Sequence, residues 1–378
     1  MKARVLALYL PQFHPIPEND EWWGKGFTEW TNVAKAKPLF RGHYQPKIPT
    51  ELGFYDLRMS EIREQQAELA REAGIEGFCY WHYWFGNGKR LLERPFNEVL
   101  ESGKPDFPFC LAWANHTWSS KTWNKEKHEN TPNVLMEQQY LGVEDYTQHF
   151  YAVLPAFRDK RYVTVDGKPF FMIYAPLGFK DVKTFMKVWR ELANKEGLKG
   201  VHFVGISSVT FRDFETGKLR KSPTTEKEAN DYLLKIGFDA VASNGMTRAN
   251  VKNQGLIKIY LKGIIKKMGF NIVDKIKQKD INRYLFTDED KRENVYPIIL
   301  PNYDRCPRTN KDIFYYDSTP KVFEESIKDC ITYLKNKQDD HKIVVLKSWN
   351  EWGEGNYVEP DIKYGRGYIE ALKNVLKG

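Results

Sequence analysis

Two glutamates near the C-terminal end of the sequence stand three residues apart among tryptophans. They lie in the segment Ser348-Trp349-Asn350-Glu351-Trp352-Gly353-Glu354-Gly355. Cleavage of a glycosidic bond needs two carboxyl groups, one protonated and one ionised, beside a sugar ring that stacks on aromatic side chains. Glu351 and Glu354 are therefore the candidate catalytic pair. Candidate substrate contacts in the same segment are Trp349, Asn350 and Trp352. The alternative is a strand leading into a helix, where glutamates favour the positive end of the helix dipole.

The elements that would position these residues are predicted to be strands and helices in regular alternation. Short runs of β-branched and aromatic residues alternate with segments of helical period along almost the whole sequence, which is typical of a parallel sheet covered by helices. Because eight such runs occur, we expect an α/β fold of the closed (β/α)8 TIM barrel type. The predicted strands cover residues 4–9, 77–83, 107–113, 170–174, 202–207, 238–242, 296–301 and 343–348.

We expect one catalytic barrel over residues 1–378 with two long insertions. Residues 11–55, rich in proline, tryptophan and charge, are predicted to form a long loop after the first strand. Residues 243–294 form a basic, helical insertion after the sixth strand, with ten Lys or Arg between Arg248 and Arg283 against two aspartates. Apolar residues alternate with lysines at helical spacing over 256–268. Their apolar side would either pack on the barrel or lie on a membrane surface.

Active sites of this fold lie at the C-terminal ends of the strands, so the residues that follow each strand are the candidate substrate contacts. Most of the tryptophans fall in these loops or at strand ends, as expected if they stack on sugars. The alternative is that some of these rings only plug the barrel mouth. The candidates are Tyr9, Gln12, His14, Glu29, Trp30, Trp81, Tyr83, Trp84, Asn115, His116, Trp118, Tyr174, Asn302, Tyr303 and Asp304.

The cysteines and histidines give no sign of a metal or a cofactor. The four cysteines show no C-x-x-C spacing, so neither a zinc site nor a compact disulfide framework is indicated. No H-x-H or H-E-x-x-H spacing groups the histidines. A Gly-rich nucleotide loop is also missing, and Asp288-Glu289-Asp290 fits the Asp-x-Asp pattern only formally, within a charged segment. We therefore expect no cofactor and no metal.

Composition and charge limit the partners and the location. Aromatic residues make up 15% of the chain, more than packing alone requires, and stacking on carbohydrate is one explanation. The formal charge of +8 suggests attraction to anionic surfaces, but it is too diffuse to indicate nucleic acid. The apolar run before Pro11, residues 5–10, is only six residues long, shorter than a signal peptide needs. We expect a cytoplasmic protein, or one at the membrane periphery through residues 256–268, although a chain whose signal had been removed would look the same.

Three stretches of the sequence together resemble a known family. They are residues 9–15 with 22–30 (YLPQFHP and WWGKGFTEW), residues 77–85 (GFCYWHYWF), and residues 349–355 (WNEWGEG). They resemble the WbsX-like family, which is named for glycosyltransferases of bacterial surface-polysaccharide clusters and is similar to glycoside hydrolase family 99. The match covers most of the chain. The insertion after the sixth strand is its least familiar part.

The resemblance implies a barrel whose hydrolase relatives cut inside α-mannosides with retention, by way of a 1,2-anhydro sugar. It implies that Glu351 takes the proton of the sugar 2-OH and that Glu354 serves as general acid and then as base. It also implies that Tyr9 lies near the reacting ring, with Trp81 or Trp84 as stacking partners. The first-strand motif, Tyr-Leu-Pro-Gln-Phe-His, departs from the hydrolase pattern. The resemblance therefore implies the chemistry more strongly than a preference for mannose.

The leading hypothesis is an endo-acting, retaining glycoside hydrolase that acts on a bacterial polysaccharide or an α-mannoside-like glycan. A second hypothesis is a glycosyltransferase of lipopolysaccharide O-antigen or capsule assembly, as the family name suggests. A third is a glycan-binding barrel without catalysis, which would keep the tryptophans and not need both glutamates. The sequence leaves the sugar, the linkage and the oligomeric state open.

Overall fold

The computed structural model describes residues 2–120, 133–220, 222–268, 273–309 and 313–378. Eight parallel strands form a closed barrel in chain order. Each strand pairs with the next one, and the last strand pairs with the first. The strands are β1 (Arg4–Tyr9), β2 (Gly77–His82), β3 (Phe109–Trp113), β4 (Lys168–Ile173), β5 (His202–Ser207), β6 (Ala240–Ser243), β7 (Val295–Ile299) and β8 (Ile343–Leu346).

The barrel strands are buried on both faces, which explains why they appear in the sequence as continuous apolar runs and not as alternating ones. In β1, Leu6 pairs with Gly77 of β2 on one side and with Val345 of β8 on the other. The predicted (β/α)8 barrel is confirmed, and the strand ends differ from those predicted by a few residues. Such shifts are usual where a strand runs into a loop.

Helices cover the outside of the barrel. Gly74 ends the helix after β1 with φ of 84°, the left-handed conformation that favours glycine at this position. The helix after β4 buries Val182, Phe185 and Trp189 on its inner side. The described helices are α1 (Pro17–Trp23), α2 (Glu29–Ala34), α3 (Ser60–Ala73), α4 (Arg94–Ser102), α5 (Val143–Phe157), α6 (Val182–Lys195), α7 (Glu226–Lys235), α8 (Met246–Gln254), α9 (Leu256–Lys267), α10 (Gln278–Asn282), α11 (Pro320–Leu334) and α12 (Gly367–Leu376).

The segment after β1 is not a plain loop, as the sequence had suggested. It contains α1 and α2, and α2 begins with a capping box between Thr28 and Thr31. Three tryptophans assigned to loops, Trp22, Trp23 and Trp30, therefore lie in short helices. Trp123 lies outside the described residues. The proline content was misleading here, because Pro17 stands at the first turn of α1, where proline is favoured.

The insertion after β6 is helical, as predicted, and also contains a strand. Helices α8 and α9 are followed by the strand Asp274–Lys277, which pairs in parallel with Ile313–Tyr316 from the segment after β7. Of the two alternatives for the apolar side of α9, packing on the barrel is contradicted, because Ile257 and Tyr260 are largely exposed. Among the described helices, none has both the length and the apolar character that crossing a membrane requires.

Candidate active site

A cavity of about 280 Å³ opens at the C-terminal ends of the barrel strands. Both candidate catalytic glutamates line it, together with seven of the candidate substrate contacts. The lining consists of Leu10, Gln12, Trp81, Tyr83, Ala114, His116, Thr117, Trp118, Tyr174, Tyr303, Arg305, Arg308, Lys347, Glu351 and Glu354.

The segment that carries the glutamates is tied to β1 by its backbone and by one amide side chain. The Trp349 backbone N–H donates to the Leu8 carbonyl at 2.8 Å. The Asn350 side chain makes two hydrogen bonds with the backbone of Leu10. Its Oδ1 accepts from the Leu10 N–H at 2.7 Å, and its Nδ2 donates to the Leu10 carbonyl at 3.0 Å. Asn350 thus acts like a further peptide unit of the sheet, and it fixes the chain one residue before Glu351.

A buried carboxyl group fixes the chain on the other side of Glu351. The indole N–H of Trp352 donates to Glu359 Oε2 at 2.6 Å, and Gln66 Nε2 donates to Glu359 Oε1 at 2.6 Å. Burial raises the pKa of Glu359 to about 7, against the hydrogen bonds that favour its charged form. The ring of Trp352 stacks on Tyr357 with centroids 3.7 Å apart. These contacts hold the turn between the two glutamates in one position.

Arg308, from the segment after β7, bridges the two glutamates. Its Nη1 donates to Glu351 Oε1 at 3.1 Å and to Glu354 Oε1 at 2.8 Å. Because both bonds start from one nitrogen, these two oxygens lie at most about 6 Å apart, near enough for two carboxyl groups to flank one glycosidic bond. A sugar ring and its glycosidic oxygen could therefore meet both carboxyl groups at once.

Glu29, at the start of α2, holds the other side of the same guanidinium. Its two carboxylate oxygens accept from Arg308 Nε and Nη2, each at 3.0 Å, and it is fully buried. Burial raises the pKa of Glu29 although Arg308 opposes this effect. A Cβ at Gly353 would overlap the Glu29 carboxylate. The glycine is therefore required for this ion pair to sit against the backbone between the two glutamates.

The two glutamates differ in their electrostatic surroundings. Burial and the charge of Glu354 raise the pKa of Glu351. Burial would also raise the pKa of Glu354, but the positive charges of Lys347, Arg308 and Arg305 outweigh it and lower that pKa. Lys347 Nζ lies 3.7 Å from Glu354 Oε2, and Arg305 Nε lies 3.1 Å from Glu354 Oε1. These surroundings thus favour a proton on Glu351 over one on Glu354, the reverse of the protonation that the resemblance implies for their roles.

Aromatic rings line the same cavity as the glutamates. Trp81 meets Tyr174 edge to face with centroids 5.5 Å apart, and Tyr83 meets Trp118 in the same way at 5.1 Å. The His116 ring lies 5.3 Å from Tyr174. Burial lowers the pKa of His116, which favours its neutral form. Neutral rings and ionisable carboxyl groups in one cavity suit a ligand with an apolar face and hydroxyl groups, such as a sugar.

Several candidate contacts at the strand ends lie beneath the cavity and support it. The Tyr9 hydroxyl donates to Gln66 Oε1 at 2.6 Å inside the barrel. Trp84 stacks on His149 with centroids 4.6 Å apart. Asn115 Oδ1 accepts from the Ala175 N–H at 2.7 Å. The fully buried Trp349 packs against Phe78, while Asn350 and Trp352 make the contacts already described. None of these six side chains lines the cavity.

The candidates in the segment after β1 are likewise supports. His14 Nδ1 donates to the Pro11 carbonyl at 3.0 Å, and Trp30 Nε1 donates to the Tyr55 carbonyl at 2.8 Å. Glu29 reaches the glutamates only through Arg308. Gln12 alone of this group lines the cavity.

Asn302 and Asp304 line a neighbouring cavity of about 190 Å³ and not the one that holds the glutamates. Asp304 Oδ2 lies 2.9 Å from His43 Nε2 and accepts from Gln45 Nε2 at 2.7 Å. Among the described residues, Asp304, His43 and Cys306 are close enough together to be considered as metal ligands. The Cys306 thiol, however, donates to the Lys37 carbonyl at 3.2 Å. The three groups are thus already engaged in hydrogen bonds.

Three cationic residues of the cavity escaped the sequence analysis. Arg305 and Arg308 lie just beyond the residues singled out after β7, and Lys347 directly follows β8. Lys347 lay within the predicted strand 343–348, so the rule of position after a strand did not select it, whereas in the structure the strand ends at Leu346. The role of Arg308 could not be found in this way, because its partners Glu29 and Glu351 come from other segments.

A family model described as "Glycosyltransferase WbsX" matches residues 5–372. The chain belongs to the WbsX glycosyltransferase family. The resemblance found in the sequence motifs is thereby confirmed. Two proteins of Xanthomonas campestris pv. campestris, each described as an uncharacterized protein WxcX, are 32% identical to this chain over 383 residues. The match covers 100% of this chain and 50% of each relative, so the chain spans about half the length of the curated relatives it matches.

Solved structures share the fold of this WbsX family member. One described as a glycoside hydrolase-like protein has a TM-score of 0.58 at 15% identity, covering 98% of this chain and 93% of its own. The GH99 endo-alpha-mannosidase from Bacteroides thetaiotaomicron has a TM-score of 0.50 at 15% identity, covering 99% and 96%. At such low identity the likeness establishes the barrel alone.

Proposed function

We propose that this protein is an endo-acting, retaining glycoside hydrolase on a bacterial polysaccharide or an α-mannoside-like glycan. The observation that carries the proposal is the carboxyl pair Glu351 and Glu354, bridged by one nitrogen of Arg308 at 3.1 and 2.8 Å in a cavity walled by aromatic rings. A glycan-binding barrel without catalysis would need the rings but not two buried carboxyl groups with opposite pKa shifts.

In this proposal Glu351 takes the proton of the sugar 2-OH while Glu354 protonates the departing oxygen, so that a 1,2-anhydro sugar forms. Water, deprotonated by Glu354, then attacks the anomeric carbon, the bond from this carbon to the 2-oxygen breaks, and Glu351 returns its proton to the 2-oxygen, with net retention. The pKa directions favour the other placement of the proton, with Glu351 protonated. In both placements the pair carries one proton. A pH profile of the activity therefore gives pKa values of the pair and does not show which glutamate is the acid. The roles must be separated by the dependence on the leaving group.

The test compares Glu351→Gln and Glu354→Gln on a natural glycan and on an aryl glycoside with a good leaving group. Glu354→Gln should lower the rate on the glycan by at least about 100-fold and largely spare the aryl glycoside, which needs little protonation. Glu351→Gln should impair both. Glu191→Gln, an exposed residue of α6, is the matched control. Sparing of the aryl glycoside by Glu351→Gln instead would exchange the two roles, and more than about a tenth of activity in both variants would refute the assignment.

A glycosyltransferase of polysaccharide assembly is the second candidate, and one observation favours it. Arg305 and Lys347 line the cavity beside Glu354, where positive charge could receive the diphosphate of a sugar nucleotide. A panel of defined oligosaccharides and nucleotide sugars separates the two functions. Release of a nucleoside diphosphate that depends on an acceptor glycan would establish transfer, and shortening of an oligosaccharide in the absence of nucleotide would establish hydrolysis.

A further inference from the structure

Helix α9 presents apolar side chains to solvent along its length. Ile257 is 78% exposed, Tyr260 70% and Met268 67%. Single exposed apolar residues are normal on a protein surface, but a contiguous row marks an interaction site. This row, here called the apolar ridge, consists of Leu256, Ile257, Tyr260, Leu261, Ile264, Ile265 and Met268.

The orientation of α9 is the reverse of an ordinary surface helix. An amphipathic helix normally turns its apolar side to the core and its charges to water. In α9 the Lys262 ammonium group is instead held against the protein, where its Nζ donates to Asp274 Oδ1 at 2.5 Å and to Gln254 Oε1 at 2.6 Å. The side chain of Lys262 is only 19% exposed. The helix is thus tied down through a charged residue, and the apolar ridge remains on the outside.

The surroundings of the apolar ridge are basic. Between Arg248 and Arg283 the sequence holds ten Lys or Arg and two aspartates. Both aspartates are already paired, Asp274 with Lys262 and Asp280 with Arg283. Exposed lysines of this segment are Lys252, Lys258, Lys275, Lys277 and Lys279. A second copy of the chain docked on this surface would set two such basic regions against each other, which is unfavourable.

We propose that α9 binds an anionic membrane surface, with the apolar ridge inserted among the lipid headgroups and the neighbouring lysines at the lipid phosphates. A basic helix with a continuous apolar side is the form of a helix that lies in the membrane interface, and tyrosine is favoured at that depth. Because α8 and α9 follow the C-terminal end of β6, the insertion that carries the apolar ridge leaves the barrel at the same end as the cavity. This proposal does not depend on the reaction that the cavity performs.

The experiment is co-sedimentation with vesicles of phosphatidylcholine alone and with vesicles that also contain phosphatidylglycerol. The protein should bind only the second kind, and high salt should weaken binding by screening the lysines. The double substitution Ile257→Ser with Leu261→Ser should weaken binding at least about tenfold. Lys258→Glu should weaken it by at least about fivefold, the effect expected for one basic residue at such a surface.

Matched controls carry the same chemical changes elsewhere. They are Leu219→Ser, at another strongly exposed leucine, and Lys187→Glu, at an exposed lysine of α6. Both should bind like the unaltered protein, and the circular dichroism of every variant should be unchanged. Absence of binding to phosphatidylglycerol vesicles at low salt would refute the proposal. So would equal losses in the controls, or a solution dimer that Ile257→Ser with Leu261→Ser dissociates, since a second copy would then cover the apolar ridge.

Discussion

The segment that follows β8 and the helix α9 distribute their side chains in opposite ways. Around Glu351 the chain buries charge, with Arg308 and Glu29 almost or fully removed from solvent. In α9 the chain exposes apolar groups such as Ile257. Both arrangements run against the usual preference of residues for interior or surface. The buried charges near Glu351 are compensated within the molecule by ion pairs. Among the described residues, the structure contains no comparable compensation for the exposed apolar groups of α9. Local departures of this kind are expected where function imposes them.

The largest effect should come from removing the guanidinium of Arg308, which compensates the buried glutamates. Arg308→Met leaves Glu29 buried without its ion pair, and loss of one partner of a buried pair costs about 3 to 5 kcal/mol in the free energy of unfolding. Arg366→Met is the matched control, because Arg366 pairs with Glu51 and Glu72 at the surface, where such pairs contribute about 1 kcal/mol or less. Urea denaturation measures both. Equal losses in the two variants would show that burial does not matter to the Arg308 pair.

The pH dependence of this variant sharpens the test. Burial already raises the pKa of Glu29 with the guanidinium present, and removal of Arg308 should raise it further. The folded chain then retains a proton that the unfolded chain releases above the ordinary glutamate pKa of about 4.3. The stability of Arg308→Met should therefore fall as the pH rises above this value, more steeply than that of the unaltered protein. A flat difference between the two proteins from pH 4 to pH 7 would contradict the predicted cause.

A smaller disturbance should come from Gly353→Ala. The added methyl group would overlap the Glu29 carboxylate and crowd Arg308, so both side chains must shift. Overpacking of this kind costs about 1 to 3 kcal/mol, and displacement of Arg308 should also lower the rate of glycan cleavage. Gly178→Ala is the control, since a Cβ there meets only Ala175 at an ordinary distance of 3.9 Å. Full activity in Gly353→Ala would show that the position of Arg308 does not govern the glutamates.

The aromatic wall allows a comparison on a smaller scale, between two tryptophans of one segment. Trp81 lines the cavity, so Trp81→Ala should weaken glycan binding by about 1 kcal/mol, or roughly fivefold, and leave the fold intact. Trp84 is buried against His149, so Trp84→Ala should instead cost about 3 kcal/mol or more of stability. Titration calorimetry and thermal unfolding distinguish the two results. Unfolding of both variants would mean that Trp81 is also part of the core.

These two tryptophans also show what the sequence could and could not predict. The barrel and the glutamate pair were accessible, because the strands are contiguous apolar runs and Glu351 and Glu354 directly follow the last one. The direction of these side chains could also have been predicted from the sequence. Alternation along β2 and just beyond it puts Trp81 and Tyr83 on one face and Trp84 on the other. The role of Arg308 was not accessible, since its contacts with Glu29 and Glu351 join segments that only the closed barrel brings together.

The smallest expected effect is at α9, and it tests the comparison most directly, because the same substitution can be made on both kinds of helix. Leu372→Ala removes a buried side chain of α12 and should cost about 2 to 5 kcal/mol. Leu261→Ala removes an exposed side chain of the apolar ridge, and alanine is as good a helix former as leucine, so the free energy of unfolding should change by less than about 0.5 kcal/mol. Urea denaturation of the lipid-free protein gives both values. A cost at Leu261 close to that at Leu372 would show that the apolar ridge is packed in solution and is not free for a membrane. A negligible cost there, together with a loss of vesicle binding, would mean that Leu261 stabilises the membrane complex and not the fold.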